Sequence, residues 1–347
     1  MKTFGGKILG LIIILIVCAF SSAYCAKTLE KSFPIGPGGA LTLINKAGSI
    51  TLEGSSRSDV HLKIESTKDI EENFELTFER LGDSLFIRTE RKSNLKPILF
   101  GLIKVRDESR SSLNFTISVP ENFNPNINTG GGAIEIRSVS GRVNGRTSGG
   151  SVKCEQVSGT LNAKTSGGSI TCERISGPMT VKTSGGSIDL QGIEGAFDAS
   201  TSGGPIKASE LTGDGSLHTS GGSINVEVAA GNYNLKTSGG SITVQKLSGN
   251  ISARTSGGGI SVEFLQPPSE DCTLSTSAGN IDLSLPRQSG AMISARTSAG
   301  KVNTDLPITV TGEVGRGKLE GRLGSGGPLL DLSTSAGSIN IKQLPNE

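Results

Sequence analysis

The chain contains no tryptophan, two tyrosines and two histidines in 347 residues, and aromatics of all kinds make up 4%. His61 and His218 lie far apart in segments of different type, which excludes a histidine metal triad, and neither an HExxH helix nor a GxSxG elbow occurs. Cysteine is scarce as well: there are five, with no CxxC pair and no Cys/His cluster of zinc-site type. Thirteen prolines are too few for a proline-rich disordered tract. Charge of one sign is missing too. With Lys+Arg 34 against Asp+Glu 32 there is no global field to draw in nucleic acid or an anionic surface. The hydrophobic share of 34% is low and speaks against one large compact core.

What the chain has instead is glycine, 49 residues and about twice the usual share. It follows no three-residue period, so it is not collagen-like. The segment from Met1 to Ala26 reads as an address. Lys2 and Lys7 precede the apolar run Ile8 to Phe20, and Ser21-Ser22-Ala23 follows, the three-part layout of a secretory signal peptide. Thirteen apolar residues fall short of the roughly 20 that cross a bilayer as a helix, so cleavage and export are expected in preference to a retained anchor. Cleavage after Ala23, Cys25 or Ala26 fits equally. Lipidation at Cys25 is disfavoured by Ser22-Ala23-Tyr24 before it. Both lysines leave with this segment, so the remainder carries equal numbers of acids and bases.

From Thr129, threonine-anchored motifs recur at Thr147, Thr165, Thr183, Thr201, Thr219, Thr237 and Thr255, always at an interval of eighteen. Most read Thr-Ser-Gly-Gly-Ser-Ile. The interval loosens to 21 at Thr276 and Thr297, where the motif becomes Thr-Ser-Ala-Gly, and a last copy stands at Thr334. A fixed period of this length marks a solenoid, whose units bury their apolar faces only by stacking. With the motif threonine as position one, apolar residues fall at positions six, eight, eleven, fifteen and seventeen, as in Ile188, Leu190, Ile193, Phe197 and Ala199. Alternation within each half is a strand period. Each copy therefore reads as two short strands and two glycine corners, one coil of a parallel β-solenoid, over residues 129 to 343. Residues 27 to 128 lack the strict period but alternate in the same manner, and are expected to form an all-β cap over the open end. Asn45-Lys46-Ala47-Gly48-Ser49-Ile50 is a degenerate motif copy within that cap.

Stacking turns equivalent positions into ladders. Position eighteen places Arg146, Lys164, Lys182, His218, Lys236 and Arg254 on one outer strip, interrupted by Ser200, a candidate surface for a ligand; a solvated face is the competing reading. Position nine lines up Glu155, Glu173, Gln191, Glu227, Gln245 and Glu263 on another. Cys154 and Cys172 share position eight of adjacent coils, pointing inward one step apart, either as a disulfide or as buried thiols. Ile98, Leu99, Phe100, Leu102 and Ile103 form an apolar run flanked by bases, readable as a membrane-surface or partner-binding loop or, preferably, as a buried edge strand of the cap.

Specialised solenoid chemistries fit poorly. Calcium-binding repeats need Gly-Gly-x-Gly-x-Asp, and Ser-Ile stands here in place of the ligating residues. Ice-binding arrays need outward Thr-x-Thr, whereas this threonine faces in. Sugar-cleaving β-helices cluster acids with bases and aromatics, and Asp189, Asp198, Asp214 and Glu227 are scattered. The expectation is no cofactor, no metal, no nucleic acid and no catalysis.

The signal peptide, the strand ending Ser118-Val119-Pro120 and the Thr-Ser-Gly-Gly-Ser-Ile coils resemble the bacterial putative-adhesin family of unknown function, from about residue 40 to 342. The resemblance implies an envelope-associated, non-catalytic β-solenoid in the periplasm, on the cell surface or outside the cell. Its partner would be a polysaccharide or an envelope protein. A carbohydrate-active β-helix enzyme and an envelope regulatory component with a membrane partner are the alternatives.

Overall fold

The computed structural model describes residues 27–92, 95–98, 103–106, 111–311 and 315–344. The segment from Met1 to Ala26, and with it the expected leader, lies outside these. Among the described residues 28 strands join in one continuous sheet, and the helix content is a single turn, Ile70–Asn73, whose Glu72 amide donates to the Asp69 carboxylate at 2.8 Å. The chain is a β-solenoid. Ile170 pairs in parallel with Ile188, Ile188 with Ile206, Ile206 with Ile224 and Ile224 with Ile242, each partner one motif period further along the chain. One repeat is thus one rung, rising about 4.8 Å. Positions six to nine build a first wall and positions fourteen to eighteen a second.

The apolar columns fill the space between the walls. Those five isoleucines of position six are fully buried, as are Val181, Ala199, Leu217, Leu235 and Ala253 of position seventeen. Each large side chain contributes roughly 1.5–3 kcal/mol on burial, and the core runs unbroken along the stack. In the position-fifteen column, Gly215 lies between Phe197 and Tyr233, whose ring centroids are 6.2 Å apart. A Cβ on Gly215 would stand 2.1 Å from the Phe197 ring, so this glycine serves packing and not a turn.

The rung has one more bend than its glycines suggest. Ser138, Gln156, Arg174, Glu210 and Lys246, all at position ten, adopt φ between 50° and 56°, and Gly192 adopts 63° in the same column. This left-handed residue lets positions nine and ten both face outward and returns position eleven to the core, where Val157, Ile175 and Ile193 are buried. At Val228 the column is interrupted, as expected of a β-branched residue, for which a left-handed conformation is most costly. Two corners per coil is therefore corrected to three bends.

Stack order departs from chain order at both ends. The rung containing Ala40–Asn45 and Ile50–Ser55 lies directly against that of Asn124–Thr129 and Ile134–Thr147, with Ser84–Arg91 and Leu113–Pro120 on its far side. The degenerate motif at Asn45 thus belongs to a coil. At the other end Cys272–Ser275 and Ile281–Leu285 are followed by Leu329–Thr334 and Ile339–Gln343, and only then by Ala291–Thr297 and Val302–Thr304. Thr297 does not continue the stack from Thr276, as its spacing suggests; the last copy, at Thr334, is inserted between them.

Antiparallel strands close both ends: Phe74–Leu81 and Thr28–Phe33 at one, Lys318–Leu323 and Ile308–Val310 at the other. Phe33 stacks on Phe78 at 5.8 Å across the first end, under the Lys31 ammonium. Charges on these edges, among them Glu30, Lys31, Glu79 and Arg80, discourage further strand addition.

Candidate binding faces of the rod

Each rung is locked to the one below by its motif corner. The Thr183 hydroxyl is buried and donates to the Gly168 carbonyl at 2.7 Å, while accepting from the Gly186 amide at 3.4 Å. Thr165, Thr201, Thr219, Thr237 and Thr255 repeat both bonds. Thr129 bonds to Gly48, Thr334 to Gly279 and Thr297 to Gly337, so the clamp follows the stack and not the chain. Corner amides add further rungs of bonding, with Gly185 donating to Ser166 and Gly203 to Ser184. This scaffold holds the outward side chains of both walls in files.

On the first wall the charges neutralise one another. Lys153 lies 3.5 Å from both Glu155 and Glu173, Arg137 contacts Glu135 and Glu155, and Arg174 contacts Glu155. Desolvation works to raise the Glu155 carboxyl, but Lys153 and Arg174 together outweigh it and hold the group below its usual range. The position-nine acids at this end are thus part of an ion-pair network.

The second wall differs. The register brings Arg146, Lys164, Lys182, Ser200, His218, Lys236 and Arg254 into one file, each directly beside the next. The five Lys and Arg side chains are exposed, and His218 is half-buried. Among the described residues none of these cations takes part in an ion pair. Beside the file, position sixteen supplies Asn144, Asn162, Thr180, Asp198, Ser216 and Asn234 on the same outward face.

A shallow groove of about 640 Å³ crosses this wall from Thr160 to Asp271. The sequence does not reveal it, because it depends on relief across seven rungs. Phe197 and Tyr233 edge its floor, and Asp198, Asp214, Glu270 and Asp271 bring carboxylates to it. Two of these have structural duties: Asp214 accepts from the Asn232 amide at 2.9 Å and Asp271 from the Leu329 amide at 2.8 Å. The Tyr233 hydroxyl donates to the Ala230 carbonyl at 3.2 Å, and burial pushes its pKa far up, so it stays a neutral donor. A second groove, of about 480 Å³, crosses the first wall with Lys207 directly beside Asp189. Of the scattered acids, then, Asp198 and Asp214 share one groove, and Asp189 and Glu227 line the other.

Cys154 and Cys172 are directly paired, fully buried and unbonded. The neighbouring Cys154 and burial push the Cys172 thiol well up, so it remains protonated and packs as a small apolar group. Leu95–Ile98 and Ile103–Arg106 pair with each other, Ile98 opposite Ile103, and do not join the main sheet. In place of the expected edge strand of the cap there is a separate two-stranded pair, and Leu99, Phe100 and Leu102 lie outside the described residues. No group of three or more metal-ligating side chains occurs among the described residues, and no helix is long and apolar enough to cross a membrane.

A family model described as Toastrack DUF4097 matches residues 40–342. The chain belongs to the Toastrack family. The family boundary at residue 40 falls at the first strand of the inserted N-terminal rung, so that rung is part of the Toastrack unit. No curated protein matches. Among solved structures, similarity extends to a "putative cell adhesion protein" of Clostridium sporogenes, at 12% identity over 92% of this chain and 100% of that one, with a TM-score of 0.19. A "putative adhesin" of Bacteroides fragilis follows at 13% identity, 92% and 97% coverage and a TM-score of 0.28. A "putative lipid binding protein" of Parabacteroides distasonis stands at 15%, 92%, 97% and 0.30. Superpositions this loose do not bear on the Toastrack fold, which rests on the strand pairings.

Proposed function

We propose that this Toastrack chain is an exported, non-catalytic module of the cell envelope, adhesin-like or structural, whose rigid stack displays repeated chemistry to a surface ligand. The observation that carries the reading is the second-wall file, where the same kind of side chain recurs from rung to rung. An enzyme converges unlike groups on one reacting bond; a display surface repeats like groups along its length. The layout of residues 1–26 supports export, and the lack of tryptophan points to recognition by charge and hydrogen bonding.

Fractionation of the native bacterium tests this reading. The protein should be found in the envelope or the medium, and a variant lacking residues 2–26 should remain in the cytosol; cytosolic wild-type protein contradicts it. The alternative is a carbohydrate-active enzyme, favoured by the carboxylates of the larger groove. Turnover of an envelope polysaccharide by purified protein, lost in D198N/D214N with the fold retained, would replace the first reading with the second.

A further inference from the structure

We propose that the second wall binds a linear acidic polysaccharide lying along the rod axis, with its carboxylates against Arg146, Lys164, Lys182, Lys236 and Arg254. The inference rests on the reading of the chain as an envelope module and names its ligand class.

The two walls of one scaffold treat their cations in opposite ways. On the first, Arg137, Lys153 and Arg174 are interleaved with acids at contact distance. On the second, Arg146, Lys164 and Lys182 stand directly beside one another, as do His218, Lys236 and Arg254. Like charges on adjacent strands are destabilising, and an acid in ion-pair contact, the first wall's solution, is absent from this file. A counter-charge supplied by a bound partner relieves the repulsion.

Spacing and surroundings select the partner. Rungs rise about 4.8 Å, close to the rise of one sugar in an extended chain. Amide and hydroxyl groups flank the file: Asn162, Thr180 and Asn234 on one side, and the exposed corner serines Ser166, Ser184 and Ser238 on the other. These suit the hydroxyl groups of a glycan. At one rung Ser200 replaces the cation and Asp198 faces the same way, so there the chain is held by its hydroxyl groups between two charged stretches. Duplex DNA offers no sugar hydroxyls along its backbone, an anionic membrane presents no linear chain, and the nearly balanced net charge gives neither any long-range attraction.

Titration of the purified full-length protein with polygalacturonate tests the proposal, with neutral dextran, duplex DNA and phosphatidylglycerol vesicles as comparisons. Polygalacturonate should bind, more weakly as salt rises, and K164Q/K182Q/K236Q should lose at least about tenfold in affinity. The control K153Q/R174Q, on the ion-paired wall, should bind as wild type, and S200K should bind more tightly. Melting curves verify folding, and if the triple variant does not fold the single Lys→Gln variants replace it. Absence of polygalacturonate binding, equal binding by the lysine variants, or equal affinity for DNA or vesicles through the same lysines would overturn the proposal. Envelope location without polygalacturonate binding removes this inference alone; binding by a protein confined to the cytosol removes the envelope reading alone.

Discussion

The hydroxyl of Thr183 reaches back 15 residues to donate to the carbonyl of Gly168 at 2.7 Å, and in doing so ties one rung to the next. The bond is buried, local to the corner, and repeated wherever rungs stack. Substituting Thr183→Val keeps the shape but removes a donor and an acceptor from a buried site, leaving the Gly186 amide without this acceptor. The expected loss is about 1–3 kcal/mol, read from the denaturant midpoint. An unchanged midpoint would show that the clamp is incidental.

The two glycines of each corner are not equivalent. A Cβ on Gly168 would lie 2.1 Å from the Gly150 carbonyl oxygen, a backbone atom that cannot yield, whereas on Gly167 its nearest contact is 3.5 Å. Gly168→Ala should therefore destabilise by several kcal/mol or prevent folding, and Gly167→Ala should change stability by less than about 1 kcal/mol. Thermal unfolding of the pair measures the difference. Ala278, Ala299 and Ala336 already occupy the tolerant position, which explains why the motif varies to Thr-Ser-Ala-Gly and not to Thr-Ser-Gly-Ala.

Position ten supplies a substitution that should help. Glu210 holds φ 56°, at a cost of about 1 kcal/mol or more for a residue with a side chain, and Gly192 occupies the same place one rung earlier. Glu210→Gly should keep or raise the melting temperature, and Glu210→Val should lower it. The reverse order would mean that the bend is not enforced in solution.

These residues also show what the sequence discloses. The corner was legible because steric exclusion leaves glycine alone at position four and inward orientation leaves threonine at position one. The second-wall file was legible because a period of eighteen aligns equal positions without further knowledge. The left-handed bend was not, since Ser138, Gln156, Arg174, Glu210 and Lys246 carry no common side-chain signature. Stack order at the ends was hidden for another reason. Spacing records distance along the chain, and the return of Leu329–Thr334 beside Cys272–Ser275 follows the antiparallel pairing of Ala291–Thr297 with Lys318–Leu323, which lie between them in the chain. The groove of the second wall needs the relief of several rungs at once and belongs to no single motif.

Removal of one whole rung asks the central question most directly. Deleting residues 165–182 joins Lys164 to Thr183, restoring position eighteen before position one. The shortened protein should be soluble, retain its β-sheet circular dichroism and cooperative unfolding, and show by small-angle X-ray scattering a rod shorter by about 4.8 Å. Collapse or aggregation of this variant, with results no better than deletion of residues 165–173 alone, would contradict an eighteen-residue layer as the unit of the fold.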